Sequence, residues 1–390
     1  MTSRLLAACL LFAACAPSDT PHDAPPPPNV ILILADDMGF ADLGCFGATV
    51  IRTPHLDRLA EGGLRLTQFY NAGRCCPSRA SLLTGRTPHR AGMATMTDYT
   101  LPDNPAYQGY LRADAPTLAE VLRGAGYRTY HVGKWHVGGG AGQLPLDRGF
   151  DRAFTFVGGA GSYYDFRPYR SDAWRYGSNE IRVRDEGVPV SPADTLHYLT
   201  DLLTDRAVEY IRGADAGVPF FLYLAYTAPH WPLHAPPEDV ARYEGRFRVG
   251  WDSLRTARFA RQRALGLWDQ GAALSPRDER VAAWAEVDDS LRDVYARKMA
   301  VYAAMVDRMD QQIGRLLDTL DATGRADNTV VVFLSDNGGA KTDRIPFLHN
   351  RFDPAAPVGS PRSFEGYGAR WANVSDVPFR RFKADMHEGG

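Results

Sequence analysis

The sequence predicts an α/β fold, with a largely parallel central sheet flanked by helices on both faces. Three observations carry this expectation. Val30-Ile31-Leu32-Ile33-Leu34 and Val330-Val331-Val332-Phe333-Leu334 are continuous apolar runs rich in β-branched residues, the pattern of strands inside a parallel sheet. Helical patterns alternate with such runs along the chain, as crossover connections require. Both runs stop at polar clusters, Asp36-Asp37-Met38-Gly39 and Ser335-Asp336-Asn337-Gly338-Gly339. In open parallel sheets, ligands bind beyond the carboxyl ends of the strands, where these clusters fall.

The elements follow in chain order. Arg4 precedes an apolar run, Leu5 to Ala14, too short to span a bilayer. The run ends in Leu11-Phe12-Ala13-Ala14-Cys15, which resembles the lipobox of bacterial lipoproteins. That resemblance implies a signal over 1–15 and a lipid on Cys15, in an exported protein of the bacterial cell envelope. Ordinary signal cleavage nearby is the alternative. A polar, Pro-rich stretch over 16–28 reads as a tether, since such chains are extended and pack poorly. Folding is expected over 29–390, with no second membrane segment.

After the first strand, Thr53-Pro54 opens a helix that closes at Gly62-Gly63. Thr117 and Glu120 form a capping box for the next helix, which ends near Gly124 to Gly126. Strands follow at Thr129 to Val132 and at Pro219 to Tyr226, the latter leading into Thr227-Ala228-Pro229-His230. The region from Pro237 to Asp288 has no clean period and reads as a surface insertion with short helices. Asp289 to Leu320 is the longest helical pattern, with Gly324 closing it. Arg344 to Asp376 is Pro- and Gly-rich and reads as a loop near the site.

Composition narrows the function. Hydrophobic residues make up 45% of the 390 and charged residues 23%, and the formal net charge is −2. With no basic run, a nucleic-acid surface is excluded. Cys9 and Cys15 belong to the export segment. The remaining Cys45, Cys75 and Cys76 make neither a disulfide scaffold nor a zinc spacing.

Asp36-Asp37 alone is weak, since paired acids after a strand often start a helix. With Asp336-Asn337 at a second strand end, three carboxylates and an amide oxygen form a hard-oxygen set. Such a set suits Ca²⁺ or Mg²⁺ better than zinc. Cys75-Cys76-Pro77-Ser78-Arg79, running on to Leu83-Thr84-Gly85-Arg86, is the sharpest signal. Further along stand Gly133-Lys134-Trp135-His136, Ala228-Pro229-His230, and Lys383 before Glu388-Gly389-Gly390.

In that order these elements resemble the formylglycine-dependent (type I) sulfatases of the alkaline-phosphatase superfamily, from Asn29 to the last residue. The resemblance implies an alkaline-phosphatase-like fold and hydrolysis of an aryl sulfate or a sulfated carbohydrate. It implies that Cys75 is oxidised to formylglycine by a formylglycine-generating or radical-type maturation enzyme. The hydrated aldehyde then offers one hydroxyl to attack sulfur and a second to expel sulfate. Asp36, Asp37, Asp336, Asn337 and modified Cys75 would hold Ca²⁺ (or Mg²⁺), and Asp336 would also accept the diol proton. Arg79 would hold the diol and the ligating carboxylates, and Lys134 would bridge diol and sulfate. His136 would assist breakdown of the sulfated intermediate. His230 and Lys383 would contact sulfate, one of them protonating the leaving oxygen. Family members usually continue past Glu-Gly-Gly into a smaller subdomain, so the sequence reads as lacking that part.

Read singly, His230 is a capping histidine, Lys134 a surface lysine and Arg79 a solvated helix residue. Two rival functions stand. A phosphate- or phosphonate-ester hydrolase of the same superfamily would share the fold and the metal ligands. A non-catalytic lipoprotein binding sulfated glycans would need only the basic groove.

Overall fold

The computed structural model describes residues 26–166, 183–190, 197–343, 353, 355–387 and 389–390. Cys15, the signal, most of the expected tether, and Glu388 lie outside the described residues.

Seven strands form one sheet: β1 Asn29–Ala35, β2 Arg128–Lys134, β3 Arg152–Phe156, β4 Val183–Asp185, β5 Val188–Pro189, β6 Phe220–Ala225 and β7 Thr329–Ser335. Their order is β5-β4-β3-β2-β6-β1-β7. The five strands from β3 to β7 in that order run parallel, while β4 and β5 are antiparallel at the far edge. β1 sits between β6 and β7, so its apolar run is buried on both faces as the sequence predicts. β7 is the outermost strand described on its side, and Val330 and Val332 are 48% and 40% exposed.

The helices are α1 Pro54–Glu61, α2 Cys75–Thr84, α3 Pro88–Ala91, α4 Leu118–Gly124, α5 Leu199–Arg212, α6 Pro237–Ala241, α7 Trp251–Ala264, α8 Asp289–Ala322 and α9 Gly368–Ser375. Alternation along β1 sends Ile31 and Ile33 into a core with Leu203 and Ile211 of α5 and Met305 and Met309 of α8. Leu32 and Leu34 point the other way, against Ala80 and Leu83 of α2 and Ala119 of α4. The capping box of α4 forms as expected: Thr117 Oγ1 accepts the Glu120 N–H and Glu120 accepts that of Thr117.

Two expectations are corrected. The segment after Pro237 is no surface insertion. Phe247 and Trp251 are fully buried, and Arg255 of α7 donates to the Asn373 carbonyl beside α9. Its helical period is obscured because α7 buries two arginines and a glutamine alongside Trp251, Leu254 and Phe259. The expected loop likewise contains α9, whose Trp371 is fully buried.

Candidate active site

Parallel pairing of β1 with β7 is in register from Asn29↔Thr329 to Ala35↔Ser335, so the two strands end side by side. Asp36-Asp37 and Asp336-Asn337 emerge together from those ends. Asp37 takes φ 64°, and its N–H donates to Asp336 Oδ1 at 3.3 Å. Asn337 Nδ2 donates to Asp37 Oδ1 at 2.7 Å. All four side chains are at most 1% exposed. Asp37 Oδ2 and Asn337 Oδ1 accept no hydrogen bond among the described residues. Buried oxygens of that kind are costly unless something binds them, and a cation would satisfy both.

α2 brings the nucleophile motif to these carboxylates. The helix starts at Cys75. Pro77 sits at the third helical position, where a missing N–H breaks no helical bond. Gly85 ends the helix at φ 63°, its N–H on the Ser81 carbonyl. Cys75, 1% exposed, therefore lies in the first turn with its Sγ 3.7 Å from Asp36 Oδ1. One turn on, Arg79 is fully buried. Its Nε and Nη2 lie 2.9 and 2.8 Å from Asp336 Oδ2, its Nη1 donates to the Lys134 carbonyl at 2.9 Å, and Asp36 Oδ1 is 3.7 Å from Nη2. Arg79 is thus no solvated helix residue.

The basic partners come from the remaining strand ends and from the last residues. Lys134, at the end of β2, places Nζ 2.5 Å from Asp36 Oδ2. His136 lies two residues on, at φ 56°, with its ring packed against Gly159 and Nδ1 without a partner among the described residues. His230, five residues beyond β6, points Nε2 at Asp37 Oδ2 from 3.3 Å and holds the Trp231 carbonyl through Nδ1 at 2.6 Å. Tyr163 supports that loop, its hydroxyl 2.6 and 2.8 Å from the Thr227 and His230 carbonyls. Lys383 is anchored by its N–H on the Gly339 carbonyl, and its Nζ lies 2.5 Å from Asp37 Oδ1 and 3.1 Å from Cys75 Sγ.

The electrostatics are tightly balanced. Asp36, Asp37 and Asp336 face Arg79, Lys134 and Lys383; burial pushes the Asp36 carboxyl well above its usual range, although Lys134 opposes this. Burial alone would raise the Asp37 carboxyl, but His230 and Lys383 outweigh it and hold it well below the usual range. Burial opposes ionisation of Asp336 too, and Arg79 reverses that. Burial disfavours the Lys383 ammonium, yet Asp37 and Cys75 keep it charged. Burial, and then Lys134 and Arg79, keep His136 neutral. Burial lowers the His230 pKa, against the pull of Asp37. Cys76 is core-packed, its thiol pushed up to about 12 by burial, so it is inert beside Cys75.

Asp36, Asp37, Cys75, Arg79, Lys134, His230, Asp336, Asn337 and Lys383 meet through direct contacts, and His136 lies beside them, close enough to feel the Lys134 and Arg79 charges. Sequence reasoning missed the layer beneath. Asp42 Oδ2 accepts from the Gly39 N–H at 3.1 Å and the Tyr302 hydroxyl at 2.7 Å, while Oδ1 pairs with Arg258 at 2.7 Å. Asp376 accepts the Gly339 N–H with both oxygens, at 3.0 and 3.1 Å. One buried carboxylate thus braces each ligand-bearing loop. Asp42 lies only five residues past Asp37, a hint that the sequence carried without a partner to explain it. Three polar residues beside the pocket are structural. His131 packs among Trp135, Phe150 and Tyr223; Ser162 closes a turn; His234 bridges Tyr163 and Ser363.

The sulfatase family profile matches residues 28–377. The chain belongs to the sulfatase family. It is 38% identical to an arylsulfatase of Klebsiella aerogenes over 375 residues, covering 93% of this chain and 79% of that one. An uncharacterised sulfatase of Schizosaccharomyces pombe is 35% identical, with 93% and 68% covered. Human N-acetylgalactosamine-6-sulfatase is 33% identical, but the match spans only 51% of its length. Among solved structures, Ps i-CgsB in complex with a neocarrahexaose superposes with a TM-score of 0.60 at 30% identity, covering 87% of this chain and 64% of that one. These relatives identify a type I sulfatase of the alkaline-phosphatase superfamily, a class of sulfuric ester hydrolases. The seven-stranded, mostly parallel sheet of this sulfatase fits that superfamily's fold. No helix among its described residues is long and apolar enough to cross a membrane.

Proposed function

We propose that this chain hydrolyses sulfate esters with formylglycine at position 75 and a hard divalent cation held by Asp36, Asp37, Asp336 and Asn337. The observation that carries the reading is the placement of Cys75 in the first turn of α2, within reach of Asp36 and Lys383, over the paired ends of β1 and β7. The oxygen-rich donor set, with two buried oxygens lacking partners, fits Ca²⁺ or Mg²⁺. Such a cation supplies charge neutralisation at the sulfate oxygens, and formylglycine supplies an oxygen nucleophile together with an exit for sulfate.

The chain's own residues do the rest. A bound divalent cation adds to the positive charge that Arg79, Lys134 and Lys383 bring to the site, as an anionic ester requires. Arg79 fixes Asp336 so that its free lone pairs can accept a proton from the nucleophile. Lys383 touches residue 75, Lys134 reaches the neighbouring Asp36, and both meet the sulfate oxygens. His136 is neutral, hence able to take a proton from residue 75 as sulfate departs. His230 and Lys383 stand where the leaving oxygen must be protonated. Burial of all these groups strengthens each interaction.

The substrate class is an aryl sulfate or a sulfated sugar. The named arylsulfatase relative supports the first, and a structural neighbour bound to its substrate D-glucosamine-2-N,6-O-disulfate, at 25% identity and TM-score 0.54, supports the second. The test couples two readouts. After coexpression with a maturation enzyme, the tryptic peptide carrying Cys75 should be lighter in mass as the aldehyde, while Cys76 stays a thiol, and the protein should release sulfate from an aryl sulfate. Turnover with Cys75 unmodified would sink the mechanism; turnover of a phosphate ester alone, restored only by zinc, would favour the phosphatase alternative. The envelope location and the Cys15 lipid form part of the same proposal. Radiolabelled palmitate should enter the protein and be absent from the Cys15→Ala variant.

A further inference from the structure

Within this site the thiol and imidazole lie closer to a different metal chemistry than the sequence spacing of the cysteines suggests. Asp36, Asp37, Cys75 and His230 each offer one donor atom, and all four atoms lie within 4.8 Å of one another in a fully buried cluster. A tetrahedral zinc site has bonds of about 2.0 Å to nitrogen or oxygen and about 2.3 Å to sulfur, which sets neighbouring donors about 3.3 Å apart for nitrogen with oxygen and about 3.5 Å for sulfur with oxygen. His230 Nε2 is 3.3 Å from Asp37 Oδ2, and Cys75 Sγ is 3.7 Å from Asp36 Oδ1. Two edges of a zinc tetrahedron are therefore already formed.

A second observation points to a cation in the same place. The Trp231 carbonyl can only accept, so the His230 Nδ1 facing it at 2.6 Å carries the hydrogen. Nε2 then faces Asp37 Oδ2 across 3.3 Å in a buried site. Two lone pairs facing each other in a buried site need a proton or a metal between them. An imidazole whose far nitrogen donates to a backbone carbonyl is also the usual posture of a metal-bound histidine.

We propose that the unoxidised chain, with Cys75 still a thiol, binds one thiophilic divalent cation, zinc by preference, through Cys75, His230, Asp36 and Asp37. On binding, the Sγ–H bond is replaced by a sulfur–metal bond and the proton passes to solvent; nothing is oxidised or reduced. Lys383 gives up its contact with Sγ but keeps Asp37 Oδ1, the oxygen that does not face His230. Oxidation of Cys75 removes the one soft donor, so the same cavity changes from a zinc site to a hard-cation site. Whether Cys75 is ever oxidised does not enter, so this proposal and the sulfatase reading can fail separately.

The test uses the 390-residue chain made without a maturation enzyme, stripped by a chelator and titrated with Zn²⁺ and Co²⁺. One equivalent of zinc should bind, and the Co²⁺ form should show thiolate-to-metal charge-transfer absorption. Cys75→Ser should abolish that absorption and weaken zinc by at least about 100-fold, since even partners outside the ligand set are worth 10–100-fold. Cys45→Ser and Cys76→Ser should leave the band in place, and Lys383→Met should tighten zinc by removing the competing ammonium. The unsubstituted chain already decides the matter if a variant fails to fold. No charge-transfer band in it, or a band that survives Cys75→Ser, would overturn the proposal.

Discussion

Arg79 places two nitrogens, Nε and Nη2, on a single oxygen of Asp336, at 2.9 and 2.8 Å, while its third reaches the Lys134 carbonyl. A planar guanidinium can serve both partners at once, and a lysine ammonium cannot. Arg79→Lys should therefore cut kcat by roughly 10²–10³-fold, the scale of losing a preorganised group that holds the reacting oxygens. The loss should be similar for activated and unactivated esters, because Arg79 acts on the nucleophile side. Arg79→Ala should also destabilise the fold by about 3–5 kcal/mol, since it strands a buried carboxylate. Steady-state kinetics and urea unfolding check the two parts.

The leaving-group role of His230 and Lys383 makes a sharper demand. An aryl sulfate departs as a stable phenolate, but a sugar sulfate departs as an alkoxide that needs nearly full protonation. His230→Ala and Lys383→Ala should lower turnover of the sugar sulfate by a further factor of about 10²–10⁴ relative to the aryl sulfate. Folding defects cancel in that ratio. Equal losses on both substrates would leave the two residues as binding charges only.

Beneath the ligands, Asp42 braces the Gly39 turn and is itself held by Arg258 and Tyr302. Asp42→Asn should weaken binding of the divalent cation by about 10–100-fold, as loss of an outer partner does. Competition against a calcium-sensitive chelator would measure it. A lower melting temperature with unchanged cation affinity would make Asp42 a folding residue alone.

His234 governs acid stability. Its Nε2 lies 2.6 Å from the Ser363 carbonyl, so that nitrogen donates, and Nδ1 accepts from the Tyr163 N–H at 3.4 Å. Burial lowers its pKa from 6.5 to about 4. The folded state thus binds fewer protons than the unfolded state between those values. Its contribution is complete above pH 6.5 and is lost as pH falls toward 4, by about 2–3 kcal/mol at pH 4.5. His234→Gln can keep both hydrogen bonds without titrating. Urea unfolding at pH 7 and 4.5 should show a smaller difference in that variant than in the parent.

The outer edge of β7 should be adhesive. Val330 and Val332 stand 48% and 40% exposed on a strand whose described partner is β1 alone. Unpaired apolar edges recruit other chains, and edge lysines deter them. Val330→Lys with Val332→Lys should lower the association of the 390-residue chain, as read by light scattering over a concentration series, while unfolding stability stays within about 1 kcal/mol.

Much of this molecule was legible before any coordinates. Runs such as Val30 to Leu34 signal buried parallel strands, and strand ends signal a site. The order of motifs, from Asp36 to Lys383, identified the chemistry. What stayed hidden depends on tertiary partners. Asp42 and Asp376 look like any loop acids until the N–H groups of Gly39 and Gly339 are placed against them. The period of α7 is obscured because Arg255, Arg258 and Gln262 share its buried face with Trp251, Leu254 and Phe259, each polar residue matched to a distant carbonyl. The cysteine spacing that argued against zinc says nothing about His230, which joins Cys75 only through the fold.

The depth of Cys75 sets an order of events. At 1% exposure in the first turn of a docked helix, its sulfur offers no foothold to another enzyme's active site. Opening a path would mean unwinding that turn and parting Lys383 from Asp37. Any enzyme that alters this side chain must meet it while residues 75–79 are still an extended peptide, before Lys383, more than three hundred residues later, has arrived to close the site. On the proposed function, the capacity for chemistry is then decided during synthesis or transit, and a molecule that folds first keeps its thiol.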